Sequence, residues 1–153
     1  MLKQQYDFVL SSRNTLLTYI GTISEQDFLT ENSSFGRGSI RNLLLHICQT
    51  YSAWIGERAL GIEQEFLPFD NYHTLSDCRS YFNQVDEYIG LFIEKFKGNE
   101  QQEIELKRNQ ESLIVNPLKL FTHVITHEFH HKGQIMSLSR HLGYTPVDAD
   151  IIR

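Results

Sequence analysis

The sequence predicts an all-α protein, a four-helix bundle that occupies residues 1–153 as a single domain. Four long segments carry apolar residues at the alternating three- and four-residue spacing of one helix face. The segments between them are polar and vary in length, as helix connections do. A chain of 153 residues, of which 41% are hydrophobic and 22% charged, is long enough to bury one core.

The first predicted helix begins at Leu2 and ends before Gly21, because glycine frequently follows the last turn of a helix. Its apolar residues have helical spacing: Leu2, Tyr6, Val9, Leu16, Leu17 and Ile20. The polar segment 22–38 contains several serines and glycines. We therefore expect this segment to be a connecting loop.

The second predicted helix begins near Ser39, a good N-cap residue, and runs to about Leu60. Its apolar stripe consists of Ile40, Leu44, Ile47, Cys48, Tyr51, Trp54 and Ile55. His46 lies on a neighbouring face of the same helix. From its position alone, we interpret His46 as a flanking histidine that hydrogen-bonds a neighbour.

The third predicted helix is followed by a change of pattern. After a loop over 61–74, an unbroken apolar stripe made of Leu75, Cys78, Phe82, Val85, Ile89, Phe92 and Phe96 indicates a core helix rather than a cofactor site. Between Gly98 and Pro117, Ile104 and Leu106 alternate with charged residues. This alternation favours a short hairpin or an extended excursion before the last helix.

The fourth predicted helix covers Leu120 to Leu142 and contains five of the seven histidines. Asn116 is a suitable N-cap, Pro117 suits the first helical position, and Gly143 suits the C-terminal end. Its bundle-facing seam is predicted to be Leu120, Val124, His127, His131, Gln134 and Leu138. His127 and His131, four residues apart, project side by side and can bind one metal ion.

Two other interpretations of these histidines are open. They can simply fill a polar seam. In that case two buried neutral imidazoles have no carboxylate on the seam to hydrogen-bond, and buried imidazoles need partners. A metal ion would bind both rings and supply the missing partner. The letters His127, Glu128 and His131 also match the His-Glu-x-x-His pattern of zinc metalloproteases, in which the glutamate is the general base. That pattern lacks a clear third ligand downstream. We therefore favour metal binding over both alternatives.

Two runs of the sequence resemble one known family. The run from His123 to Ile135 looks like the C-terminal helix motif of the DinB family of bacterial bundle proteins, and the run from Gly38 to Ile47 looks like its second-helix motif. The DNA polymerase that shares this name is unrelated. In the family, one histidine of the second helix joins two on the fourth. The resemblance therefore implies His46, His127 and His131 as metal ligands, and it replaces our interpretation of His46 from position alone.

The resemblance also implies a chemistry. Three neutral imidazoles leave a divalent ion with open positions, as at catalytic sites. Zinc suits these ligands best, and nickel and iron(II) also accept imidazole. The family includes metal-dependent enzymes that use low-molecular-weight thiols such as bacillithiol or mycothiol, so the resemblance implies a thiol transferase or a related hydrolase or isomerase. Glu128 and Gln134 are candidates for orienting a ligand or handling a proton. The alternative is a non-enzymatic metal-binding stress-response module.

Composition indicates which kinds of partner and which cellular location to expect. A net charge of −5 argues against nucleic-acid or anionic-membrane surfaces, which need clustered lysine and arginine. No apolar run approaches the roughly 20 residues of a membrane span. The first residues lack the apolar core of a secretory signal, and two cysteines do not make a disulfide framework. We therefore expect a cytoplasmic protein with a small-molecule substrate.

The fourth helix also predicts self-association. It has a second apolar line: Leu118, Phe121, Ile125, Phe129 and Met136. A helix that is apolar on two faces has neighbours on both. Since members of the family often pair, we expect a homodimer.

Overall fold

The computed structural model describes residues 1–153 and is mostly helical. In chain order it contains α1 (Leu2–Ile20), α2 (Glu25–Leu29), α3 (Ile40–Tyr51), a π-helical segment (Ser52–Ala59), a 3-10 turn (Phe69–Asn71), α4 (Leu75–Lys95), β1 (Ile104–Arg108), β2 (Glu111–Val115) and α5 (Pro117–His141). The expected hairpin before the last helix is confirmed. No helix combines the length and the apolar character needed to cross a membrane.

The predicted helix caps are present and explain where the helices begin. The Ser39 side chain accepts a hydrogen bond from the Asn42 N–H, and the Asn116 side chain accepts one from the Lys119 N–H. Each bond satisfies one of the N–H groups that the first turn of a helix leaves without a partner. Gly143 follows α5 with a φ of +96°, the left-handed conformation that glycine adopts at low cost.

Two local features differ from the predictions. The expected loop over 22–38 contains the short helix α2, which Ser24 caps and which buries Phe28. The second predicted helix extends to the expected place, but its last eight residues form a π-helix. The Leu60 N–H, for example, donates to the Ile55 carbonyl five residues earlier, at 3.0 Å. Such wide turns are rare and frequently lie at functional sites.

The core lies between the four long helices. α1 and α3 each pack against both α4 and α5. α3 is the most enclosed element, because Leu43, Leu44 and Leu45 in succession are 0% exposed. A helix that is buried all round holds its side chains firmly. The position of His46 on α3 is therefore set by the core itself.

α5 buries most of the predicted seam, and it also buries charged residues beside that seam. Leu120, Val124, His131 and Leu138 of the seam are buried. Glu128, Lys132 and Ile135 are buried, whereas His127 and Gln134 are only half-buried. The predicted seam left out Glu128 and Lys132, because charged residues ordinarily face solvent. Glu128 and Lys132 are buried because each has a partner on α1, which helical spacing alone does not reveal.

The hairpin covers one end of the π-helical segment. β1 and β2 pair antiparallel from Ile104 opposite Val115 to Arg108 opposite Glu111. β1 packs on the π-helical segment, and Leu106 is 2% exposed beneath the hairpin. Side chains alternate between the two sides of a strand, so Arg108 shares the inward side with Leu106.

Candidate metal centre

His46, His127 and His131 lie together between α3 and α5. One ring nitrogen of each lies within 4.8 Å of the others. The ring centroids of His127 and His131 are 4.3 Å apart, as expected for positions i and i+4 of one helix. The His46 ring is 4.9 Å from that of His127 and 4.6 Å from that of His131. The structure therefore brings together all three predicted ligand residues.

The two helices that carry these histidines run antiparallel. His46, near the middle of α3, contacts His127 and His131, whereas Trp54, later in the chain, contacts the earlier His123 with ring centroids 5.2 Å apart. Beyond its cap, the start of α3 is held by the Asn42 side chain, which donates to the Arg37 carbonyl at 2.9 Å. These bonds place Arg37 beside His46.

The three imidazoles are held in their neutral form. Burial, with the nearby Arg37 guanidinium, lowers the pKa of His46 to about 4. Burial and the neighbouring histidines lower the pKa of His127 to about 3. Burial also lowers the pKa of His131. Neutral imidazole is the form that ligates a metal ion, so these pKa shifts favour ligation at neutral pH.

Gln134 determines which nitrogen of His131 is available. The His131 Nδ1 lies 2.7 Å from the Gln134 Oε1. An amide oxygen only accepts, so Nδ1 carries the hydrogen and Nε2 keeps its lone pair. That Nε2 lies 3.1 Å from the Nε2 of His127. Gln134 is itself packed against Gly36, where an added Cβ would come within 3.4 Å of the amide oxygen.

These residues fit a divalent cation. Ligand distances of about 2.0–2.1 Å in a tetrahedral zinc site put two nitrogens roughly 3.4 Å apart, close to the 3.1 Å between His127 and His131. The His127 Nδ1 is buried and has no hydrogen-bond partner. The His127 Nε2 faces the His131 Nε2, which keeps its lone pair, and a cation between these two nitrogens would be bound by both.

The structure does not place Glu128 with the histidines. Its carboxylate is 0% exposed and accepts hydrogen bonds from Arg13 at 2.9 and 2.8 Å and from the Tyr51 hydroxyl at 2.7 Å. A glutamate bound in this way has no oxygen directed to water at the histidines. The position therefore does not fit the general base of a metalloprotease.

Two further histidines of α5 flank the centre. The His123 ring is 6.1 Å from that of His127, and the exposed His130 ring is 4.9 Å from that of His131. Sequence reasoning missed Arg13, although it stands between Val9 and Leu16, where the helical repeat requires an inward-facing residue. It also missed Arg37, whose Nη2 is 3.5 Å from the His46 Nε2 and whose loop has no periodic pattern.

Comparison with known proteins agrees with this geometry. The sequence model of the DinB family matches residues 1–153. The chain belongs to the DinB family. It is also 25% identical over 148 residues to "Uncharacterized protein YizA" of Bacillus subtilis (strain 168), a match that covers 96% of this chain and 91% of YizA. The family prediction from the two motifs is therefore confirmed, and this DinB protein has three histidines positioned to hold a metal ion.

Proposed function

We propose that this DinB protein binds one divalent metal ion through His46, His127 and His131, inside a four-helix bundle formed by α1, α3, α4 and α5. One observation carries the proposal: three neutral imidazoles from two helices present nitrogens within 4.8 Å of one another. Zinc is the first candidate by ligand type, followed by nickel and iron(II). Three protein ligands leave room for a substrate atom, as in catalytic sites.

The proposed activity is transfer or isomerisation with a low-molecular-weight thiol, or a related hydrolysis. A bound divalent ion supplies acidity, because it lowers the pKa of a thiol or a water at its open positions. The chain itself supplies orientation and access. Gln134 holds His131 in one tautomer, and His46 and His127 are half-buried, so a small molecule can approach them from solvent.

Metal analysis of purified variants tests the ligand assignment. His131→Ala is expected to lose bound metal, and His46→Ala and His127→Ala likewise, because two imidazoles hold an ion much less tightly than three. His130→Ala and His123→Ala are matched controls from the same helix and are expected to keep full occupancy. Full occupancy in His131→Ala would remove the assignment.

A turnover screen separates the enzyme from the alternative, a non-enzymatic metal-binding stress-response module. Metal-loaded protein is incubated with pairs of small thiols and electrophiles, and with ester and amide substrates. Turnover that is lost on chelation and restored by one metal supports the enzyme. Metal binding without any turnover favours the module. A peptidase remains the weakest alternative, because Glu128 is bound to Arg13 and Tyr51.

We also propose a homodimer, on the apolar line of α5. Ile125 and Phe129 of that line border an apolar groove together with Phe8 of α1, which is 53% exposed. A second copy of the chain would cover this surface. Light scattering at micromolar concentration is expected to give twice the monomer mass of 17.9 kDa, and a monomer alone would contradict the proposal.

A further inference from the structure

A cleft of about 240 Å³ lies between the hairpin and α5, beside the histidine centre. We call it the hairpin cleft, and it is lined by Trp54, Arg108, Leu113, Val115, Lys119, Leu120 and His123. Of its apolar residues Leu120 is buried, whereas the cations Arg108 and Lys119 are exposed. Cavities of a few hundred cubic ångströms with few, well-placed polar groups are typical of small-ligand sites.

The π-helical segment brings Trp54 into this cleft. In a regular α-helix, the eight residues from His46 to Trp54 would cover roughly 2.2 turns, which would place Trp54 about 80° away from the face of His46. A π-helix has more residues in each turn, so it reduces this angle. Trp54 therefore lies over α5 against His123, on the side where His46 meets His127.

Two cations line the hairpin cleft, Arg108 and Lys119, and neither makes an ion pair with a carboxylate. The guanidinium carbons of Arg58 and Arg108 lie 4.7 and 5.7 Å from the centre of the Trp54 ring. Ion pairs with nitrogen–oxygen distances up to 4.0 Å involve other cations only: Lys3, Arg13, Arg41 and Lys97. Arg108 is opposite Glu111 in the strand ladder and still makes no ion pair with it. Most lysines and arginines of the chain make no ion pair, so it is the presence of Arg108 and Lys119 in one cleft that favours an anionic ligand.

His123 connects the hairpin cleft with the candidate metal centre. It lines the cleft, touches Trp54, and has its ring 6.1 Å from that of His127. A small molecule can therefore occupy the cleft with its other end at the histidines.

We propose that the hairpin cleft binds the carboxylate of a small organic anion and directs its reactive end towards His46, His127 and His131. The second half of this statement rests on the proposed function, whereas the first half does not. Arg108 offers the planar fork of N–H groups that matches a carboxylate, and Lys119 adds a second positive charge. Leu113, Val115 and the Trp54 ring suit the apolar part of such a molecule.

Trp54 is the only tryptophan of the chain, so its fluorescence reports directly on the cleft. The test titrates metal-free protein with phenylacetate and, separately, with the neutral phenylacetamide. We expect a saturable fluorescence change with phenylacetate, and affinity at least about tenfold weaker for phenylacetamide, because the amide lacks the charge-assisted hydrogen bonds.

Variants of the cleft locate the anion. Arg108→Gln and Lys119→Gln are each expected to weaken phenylacetate binding by roughly tenfold and to leave phenylacetamide binding unchanged. Lys107→Gln is the matched control, since Lys107 is the strand neighbour of Arg108 with its side chain on the other side. Equal affinity for the acid and the amide would overturn the proposal. Arg108→Gln and Lys119→Gln variants that both bind like Lys107→Gln would overturn it too.

A second arm tests whether a molecule bound in the hairpin cleft extends towards the metal centre. It also asks which reactant of the proposed thiol transfer carries the carboxylate, the thiol or the other substrate. The probes are 3-mercaptopropionate and propionate, each with metal-loaded wild type and His131→Ala. If the thiol carries the carboxylate, 3-mercaptopropionate is expected to bind more tightly than propionate to the metal-loaded wild type. The two probes are expected to bind equally to His131→Ala. If the carboxylate belongs to the other reactant, phenylacetate and a neutral thiol such as 2-mercaptoethanol bind together. Two results together would overturn the claim that the bound molecule extends towards the histidines. They are that phenylacetate and every thiol exclude one another, and that the thiol group of 3-mercaptopropionate adds no affinity.

The two arms separate the possible failures. Anion binding by metal-free protein that binds no zinc, nickel or iron would refute the metal proposal and retain the cleft. Metal binding by the three histidines without anion binding would retain the proposed function and refute the cleft. The Trp54 fluorescence is read in both arms, so neither result depends on turnover.

Discussion

Two faces of α5 carry polar clusters of opposite character. On the buried face, Glu128 accepts hydrogen bonds from Arg13 and Tyr51, and all three are buried. One residue earlier, the half-buried His127 directs its Nε2 to the Nε2 of His131, 3.1 Å away. A buried charge that is fully paired stabilises one arrangement of the helices. Neutral ring nitrogens that face one another remain able to bind a cation.

The buried cluster joins all four long helices. Besides Glu128 on α5, Arg13 of α1 donates to Asp86 of α4 at 2.6 Å, and Tyr51 comes from α3. Burial, with the negative charge of Glu128, raises the pKa of the Tyr51 hydroxyl, which therefore stays protonated and donates. The histidine centre, by contrast, joins only α3 and α5. The first cluster is built for stability, and the second leaves the fold free to release its ligand.

Removal of Arg13 should disrupt the buried cluster around Glu128, and we expect it to lower the stability of the protein more than any other change considered below. Arg13→Ala leaves the Glu128 carboxylate buried without its charge partner, which costs about 3–5 kcal/mol of the free energy of unfolding. Urea denaturation measures this loss. The control is Lys3→Ala, which breaks the exposed pair with Asp7 and should cost less than about 1 kcal/mol. Equal losses in both variants would contradict the comparison.

Chelation should affect the histidine face without unfolding the protein. The apo protein is expected to keep its helical circular dichroism, because its core of buried apolar residues does not include the three histidines. At a metal concentration about 100-fold above Kd, bound metal adds about 2.7 kcal/mol to the stability, and chelation removes that amount. Loss of the helical signal on chelation would instead make the ion structural.

Replacement of Gln134 should sharpen the assignment of the histidine face. Gln134→Leu removes the acceptor that fixes the His131 tautomer, and metal affinity is expected to fall about 10- to 100-fold. Competition with a chromophoric chelator measures the affinity. Ser137→Ala, an exposed position one turn further along α5, serves as the control. Unchanged affinity in Gln134→Leu would show that the amide does not orient His131.

The smallest expected effect on stability comes from a buried thiol, Cys78, which belongs to neither cluster. Burial raises the pKa of Cys78 to about 12 from an ordinary 9.0, so the folded state favours the protonated thiol. Its contribution to stability is therefore present below pH 9 and is lost as the pH rises towards 12. Between pH 8 and 9.5 this loss amounts to about 1 kcal/mol. Between these pH values, the free energy of unfolding measured with urea should fall less in Cys78→Ala than in the wild type. An equal fall in both proteins would refute the prediction.

Local patterns predicted the elements and part of the site. Apolar spacing located α1, α3, α4 and α5, and the caps Ser39 and Asn116 begin helices as predicted. The alternation around Ile104 located the hairpin. The pairing of His127 with His131 followed from their spacing of four residues. Spacing failed for His46, which needed the family motif, because the relation between two helices is not a local property.

The pattern of residues along the chain is enough to predict which segments are helical and which two histidines lie side by side, because both depend on contacts within a few residues along the chain. That Glu128 joins the buried face of α5 follows from the tertiary structure and not from helical spacing. This burial depends on Arg13, which lies 115 residues from Glu128 in the sequence and pays for the burial of its carboxylate. The tertiary structure also decided that α3 brings His46 to the pair and that the π-helical segment brings Trp54 beside it. Contacts between distant segments select among the faces that a helix offers, and helical periodicity alone does not encode that selection.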